Sequence, residues 1–245
     1  MPVLDMQADV RRVVDVLTGG GVAIVPSDTG YGIAASFPEA VARINAVKGR
    51  GTHKRNAFLF DCEGEAQVHR LDTRGREMVD AITQDYRLPV GVLAPYRTDH
   101  PLIASMPASL KETTTALGKL STLIGAGSFL EFLSQAARKQ GIVVIGSSAN
   151  LTGTGVKFRI DDIQEEVKDI ADVIIDYGIC RYHHYQRSST IIDFEAVKLI
   201  RYGSCYDMIR EILDRHFGVK FPADPGADVS PSGHVDEFLL ADAKG

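Results

Sequence analysis

Three short polar stretches carry the side chains able to do chemistry. Pro26-Ser27-Asp28-Thr29-Gly30-Tyr31-Gly32 offers hydroxyls directly after the apolar run Val22–Val25. Lys48, Arg50, Lys54 and Arg55 follow the next expected helix, and Gly146-Ser147-Ser148-Ala149-Asn150 follows a second apolar run, Ile142–Ile145. Arg presents a planar fork that grips a carboxylate or phosphate through two bonds, and Lys presents a compact charge. Lys48 and Arg50 are two positions apart, so on extended chain they share a face. If the helix folds back over a sheet, hydroxyls and cations converge on something anionic, and a nucleotide or a carboxylate is the natural ligand.

Other residue types point away from chemistry. His183 and His184 are adjacent, their rings point apart on a strand, and no carboxylate pattern accompanies them, so a surface loop is expected rather than a metal site. Cys62, Cys180 and Cys205 are widely spaced and form no CxxC pair, which suggests neither a disulfide framework nor zinc. Idle thiols in a reducing cytosol are the plain reading. Gly125-Ala126-Gly127 lacks the third glycine and the downstream acid of a dinucleotide fingerprint.

The elements that must position the polar stretches are legible in part. Val10, Val13, Val14 and Leu17 recur at helical spacing over residues 5–18, and Gly19-Gly20-Gly21 stops that helix. Val22–Val25 is apolar on both faces, as an inner strand is. Pro38 opens the next helix, with Val41, Ile44 and Val47 as its buried stripe. Strands are expected at Ala57–Phe60, Val90–Ala94, Ser121–Ile124, Ile142–Ile145 and Val173–Asp176, and a hairpin at Ser189–Phe194 and Val197–Arg201. Helices are expected at Glu77–Tyr86, at Phe129–Gln140 with Phe129, Phe132, Leu133 and Ala136 inward, at Asp161–Ile170, and at Tyr206–Phe217 with Met208, Ile209, Ile212 and Leu213 inward. Pro95–Lys119 shows no firm period and reads as a mobile cover over a site. From Gly218 onward, prolines and glycines make a tail without a core of its own, in which Phe238, Leu239 and Leu240 are able to dock.

At 245 residues, 44% of them hydrophobic, the chain can bury the core of one α/β domain. The formal net charge of -5 argues against a generic nucleic-acid coat, while leaving room for a local basic cleft. No run approaches the roughly 20 apolar residues of a membrane span, and no apolar signal core opens the chain, so a cytoplasmic location without membrane contact is expected. The oligomeric state is left open.

Taken in order, VPSDTGYGIAAS, INAVKGRGTHK, IGSSANLTG, Ser189-Thr190-Ile191-Ile192-Asp193 and Leu199-Ile200-Arg201-Tyr202-Gly203 resemble the YrdC/YwlC family of threonylcarbamoyl-AMP synthases. Each motif alone is weak, and five in sequence are strong. The resemblance implies a single YrdC-like α/β domain over 1–217, with a twisted, mixed, open sheet, flanking helices and a concave cleft, followed by an irregular tail over 218–245. It implies a reaction in which L-threonine, bicarbonate and ATP, with Mg2+, give threonylcarbamoyl-AMP and pyrophosphate for tRNA modification. Lys48 and Arg50 take the catalytic positions. Ser27, Thr29, Tyr31, Lys54, Ser148 and Asn150 take substrate positions, and Ser148, Asn150, Ser189 and Arg201 take nucleotide positions; no protein metal ligands are implied. The departures are Gly51 and Arg55 in place of prolines, and Leu123-Ile124-Gly125-Ala126 in place of a segment carrying one more arginine. They leave two alternatives open: a nucleotide- or RNA-binding module without turnover, and a paralogue acting on a different amine.

Overall fold

The computed structural model describes residues 4–49, 55–226 and 233–235. Helix α1 (Met6–Thr18) begins where the Asp5 carboxylate accepts the Ala8 N–H at 3.0 Å, and it buries Val10, Val13, Val14 and Leu17. Strand β1 (Ala23–Val25) turns through residues 26–31 into β2 (Gly32–Ala35), and α2 (Pro38–Val47) carries Pro38 in its first turn. β3 (Ala57–Leu59), α3 (Cys62–Val68) and α4 (Thr73–Asp80) follow, the last continuing as a π-turn over Ala81–Asp85. Next come β4 (Val90–Pro95), α5 (Pro101–Ala104), α6 (Ala108–Thr114), β5 (Thr115–Ala116) and β6 (Lys119–Ile124). The remainder is α7 (Ser128–Lys139), β7 (Ile145–Ser148), α8 (Glu165–Lys168), β8 (Val173–Ile174), β9 (Ile191–Asp193), β10 (Lys198–Arg201) and α9 (Tyr206–Phe217).

Among the described residues these strands form one mixed sheet in the order β10-β9-β4-β6-β3-β7-β2-β1-β8, with β5 hairpinned onto β6. β1/β8, β3/β6 and β4/β9 are parallel, and β1/β2, β2/β7, β3/β7, β4/β6 and β9/β10 are antiparallel. Ala23, Val25 and Ala34 face one layer, made by α1 and α7; Ile24, Ile33 and Ala35 face the other, with α2, α4, α6 and α9. Apolar residues on both faces of β1 have two layers to pack against, which accounts for its continuous hydrophobic run. No helix among the described residues is long and apolar enough to cross a membrane.

Several sequence expectations are corrected. The strand expected at Ile142–Ile145 forms three residues later, because β2 fixes the register through Ala35↔Ile145 to Gly32↔Ser148. Val143 and Val144 are buried as coil, and the Val144 carbonyl accepts the Leu59 N–H at 2.9 Å. Asp161–Ile170 is not one helix: a 3-10 turn at Ile160–Asp162 and the short α8 are separated by extended Ile163, which buries its side chain as Val167 does. Phe132 is 37% exposed and Met208 38% exposed, since α7 turns Leu130, Ser134 and Ala137 inward and α9 turns Tyr206 inward. The expected helix over Glu77–Tyr86 starts earlier, at the Asp72 cap, and ends as the π-turn.

Residues 95–119, which show no firm period in sequence, hold α5, α6 and β5 and contribute part of the core. Leu102, Ile103, Met106 and Leu110 on and between α5 and α6 are buried, and burying each such side chain contributes about 1.5–3 kcal/mol. The described part of the tail also docks. Val219 and Phe221 pack on the core, and Tyr202 N–H donates to the Gly233 carbonyl at 2.8 Å.

Candidate functional site

The β1–β2 loop is held by its own hydroxyl and by three remote segments. Ser27 Oγ donates to the Gly30 carbonyl at 2.5 Å and accepts the Thr29 N–H at 3.2 Å. Asp28 N–H donates to the Ala126 carbonyl at 2.8 Å, Tyr31 N–H to the Lys157 carbonyl at 2.8 Å, and Tyr182 N–H to the Asp28 carbonyl at 2.8 Å. Burial raises the Asp28 carboxyl above its usual range, and Arg181, 3.6 Å away, partly offsets that. Burial also pushes the Cys180 thiol up to about 11, against backbone hydrogen bonds from Ser27 and Gly30.

Gly127 makes this packing possible. It sits at φ +107, where a side chain is strained, and a Cβ there would lie 2.7 Å from Asp28 Oδ1. Gly127→Ala is expected to cost about 1–3 kcal/mol of stability. Urea unfolding at neutral pH reads this, and a loss below about 0.5 kcal/mol would mean that the loop yields without strain.

Antiparallel pairing sets Gly32 opposite Ser148, so the start of β2 and the end of β7 lie side by side. α2 returns along β2, and its C-cap residue Lys48 therefore arrives at that same end. The Lys48 ammonium, on a residue only 4% exposed, donates to the Ser148 and Asn150 carbonyls and, at 3.2 Å, to Asn150 Oδ1. Its backbone carbonyl accepts the Thr152 N–H at 3.0 Å, and Ser148 Oγ donates to Asn150 Oδ1. Lys48, Ser148 and Asn150 thus meet across about a hundred residues of sequence. Ala149 N–H donates to the Tyr31 carbonyl at 2.9 Å, which joins this cluster to the Ser27–Tyr31 loop.

The other expected site residues are placed differently. Tyr31 is 1% exposed, and its hydroxyl donates to Gly178 O at 2.8 Å and accepts from Tyr177 N–H at 3.0 Å. It is a buried strut that anchors the loop to the chain after β8, and burial raises its hydroxyl. Arg55 turns to the Glu112 carbonyl at 3.0 Å. Arg50, Lys54 and His53 lie outside the described residues. Ser189 and Arg201 are brought to each other: the guanidinium donates to Ser189 O at 2.8 Å and to Ser189 Oγ at 3.2 Å. Ser189 lies just before β9 and Arg201 ends β10; β9 is four strand spacings, about 19 Å along the sheet, from β7, and β10 is one spacing further. The segment containing Tyr182 spans that interval, since it bonds Asp28 at one end and leads to the Ser188–Ser204 bond at the other.

Sequence reasoning set aside Gly125-Ala126-Gly127 and passed over Asp28, Lys157 and Tyr182. The glycines had the right signal, close backbone approach, which a search for a dinucleotide motif does not read. His183 lies in a 3-10 turn with Nδ1 3.0 Å from the Cys180 carbonyl.

Polar groups gather past the C-terminal ends of β1, β7 and β8, under a helix returning a lysine, at the end of the sheet where open α/β folds tend to bind ligands. The Sua5/YciO/YrdC family, described as "Telomere recombination", matches residues 15–203, and the chain belongs to that family. The fold is shared with a hypothetical protein, smu.1377c, from Streptococcus mutans (19% identity, TM-score 0.67, 84% of this chain and 91% of that one). It is shared also with P. abyssi Sua5 complexed with L-threonine (19%, 0.63, 82% and 56%) and with E. coli YciO (16%, 0.58, 76% and 84%). The chain spans little more than half the length of the Sua5 structures, 54% and 56%. No curated protein matches it in sequence.

Proposed function

We propose that the protein is an ATP-dependent, threonylcarbamoyl-AMP synthase-like enzyme that carboxylates the amine of L-threonine and adenylates the product. The observation that carries this reading is the Lys48–Ser148–Asn150 cluster beside the Ser27–Thr29 hydroxyls. The threonine nitrogen attacks the carbon of bicarbonate, water leaves, and a carbamate remains. A carbamate oxygen then attacks the α-phosphorus of ATP, and the bond to the β-phosphate oxygen breaks to release pyrophosphate. Such a transfer is accelerated by positioning and by fixed positive charge rather than by covalent help from the protein.

In this reading Ser27 and Thr29 hold the amino acid, Lys48 and Arg50 supply charge where it builds on phosphate oxygens, and Lys54 adds to it. Ser148 and Asn150 orient the nucleotide, and Ser189 and Arg201 meet its far end. Tyr31 acts through the loop it anchors. The nearby carboxylates are engaged, Asp28 by Arg181 and Asp176 by Tyr31 and Gly178. A Mg2+ arriving with ATP would therefore keep phosphate and water oxygens as its ligands.

Incubation with ATP, L-threonine, bicarbonate and Mg2+ should release pyrophosphate that depends on all three substrates. Release with another amine but not threonine would mark a paralogue of different specificity. A second reading, nucleotide or RNA binding without turnover, is favoured by the commitment of all three Lys48 donor positions to protein oxygens. Salt-sensitive RNA binding with no pyrophosphate released would select it.

A further inference from the structure

Two half-buried arginines among the described residues are forked onto carboxylates, and the more deeply buried Arg187 is not. Arg76 holds both oxygens of Glu65 at 2.7 and 2.9 Å, and Arg138 holds both oxygens of Asp61 at 3.1 and 2.7 Å. Arg187 is 8% exposed, yet among the described residues its guanidinium makes one hydrogen bond, from Nη1 to the Tyr202 carbonyl at 3.4 Å. Nη2 is buried without a hydrogen bond: Asp224 Oδ1 lies 3.3 Å away, within ion-pair range but off the hydrogen-bonding direction. That same oxygen accepts the Gly226 N–H at 2.9 Å. A guanidinium has five donors, and burying it with one weak bond and one misaligned ion pair is costly.

A second guanidinium lies alongside. A Cβ built on Gly233 would stand 2.9 Å from Arg187 Nη1 and 3.2 Å from Arg201 Cγ, so both side chains lie against the same glycine. Arg201 also reaches Ser188 Oγ at 3.3 Å, and the Arg187 carbonyl accepts from Ser204 Oγ at 2.5 Å. Two arginines and the Ser188 and Ser189 hydroxyls thus share one corner beyond β9 and β10. Asp224 enters it from a strap held at Pro222 by the Tyr206 hydroxyl, and residues 233–235 lie along β10 through Tyr202 N–H to Gly233 O and Val235 N–H to Ile200 O.

We propose that Arg187 binds a phosphate group of the nucleotide, and that Asp224 stands where that phosphate would sit. This rests on the nucleotide-binding reading above and extends it to a residue that reading leaves out. A phosphate offers several oxygens to the Arg187 fork, where Asp224 offers one already shared with Gly226, so the phosphate displaces the carboxylate.

Calorimetric titration with inorganic pyrophosphate and with ATP tests the proposal on the full chain. Asp224→Asn removes the competing charge from a surface strap and should tighten pyrophosphate binding about 3- to 10-fold. Arg187→Gln should weaken it at least 10-fold. If Arg187→Gln does not fold, as a melting curve would show, Asp224→Asn decides alone. Unchanged affinity in Asp224→Asn, or no pyrophosphate binding by any variant, overturns the proposal. Threonine-dependent turnover of wild type with unchanged affinity in both variants would sink Arg187 alone and leave the synthase reading standing. Tighter pyrophosphate binding by Asp224→Asn without any turnover would keep Arg187 and sink the synthase.

Discussion

Lys48→Met should lose both pyrophosphate release and a measurable part of its folding stability. The ammonium sits at the C-terminal end of α2, where a cation is favoured by the helix dipole, and its donors go to two carbonyls and an amide oxygen of the 148–150 turn. Methionine matches the length and volume of the stem but donates nothing, so oxygens buried with a residue only 4% exposed lose their partner. Each such loss costs about 1–3 kcal/mol, and because one turn holds all three, the sum is expected nearer the cost of one or two. Its burial thus gives Lys48 a part in the fold as well as a place in the candidate site. Lys48→Arg should also fail, because a planar fork does not meet three oxygens gathered around a point. Urea unfolding and pyrophosphate release, measured side by side, decide the matter. A Lys48→Met protein with wild-type stability and turnover would remove the lysine from both structure and chemistry.

Glu65→Gln should be the more damaging to stability. Glu65 is fully buried on α3, with His69 Nδ1 2.8 Å from one oxygen and the Arg76 guanidinium on both. The other ring nitrogen of His69 faces the Leu120 carbonyl at 3.2 Å, so this network ties α3 and α4 to β6. Breaking a buried pair by removing one partner costs about 3–5 kcal/mol, because the remaining charge is stranded. The effect should depend on pH with a definite sign. Burial by itself would raise Glu65, but hydrogen bonds from His69 and Arg76 hold its carboxyl below its ordinary value of 4.5. The unfolded chain therefore takes up the proton first as pH falls. The stabilisation is fully present above the ordinary value and is lost as pH drops through the folded one. The stability gap between wild type and Glu65→Gln should be constant near neutrality and shrink below about pH 4.5. A gap under about 1 kcal/mol at pH 7, or one that widens in acid, would contradict the network's role.

The sequence determined the kinds of elements and the order of the motifs. Glycines after α1, Pro38 at the head of α2, and the apolar run of β1 are local signals, read within one turn or one strand. The pairing of a hydroxyl loop with a distant Ser-Ala-Asn turn was legible because both follow apolar runs. Where local patterns allow two answers, only packing chose. α7 and α9 each carry more apolar residues than one face needs, and their neighbours decided that Phe132 and Met208 stay at the surface. Antiparallel pairing with β2 moved β7 onto the serines, since register is a property of two strands and not of one. Tyr31 became a strut and Ser189 an Arg201 partner through hydrogen bonds that close only when remote chain segments meet. No periodicity records such a bond, and the same is true of Arg187, which Asp224 and Gly233 from the segment after α9 lie against.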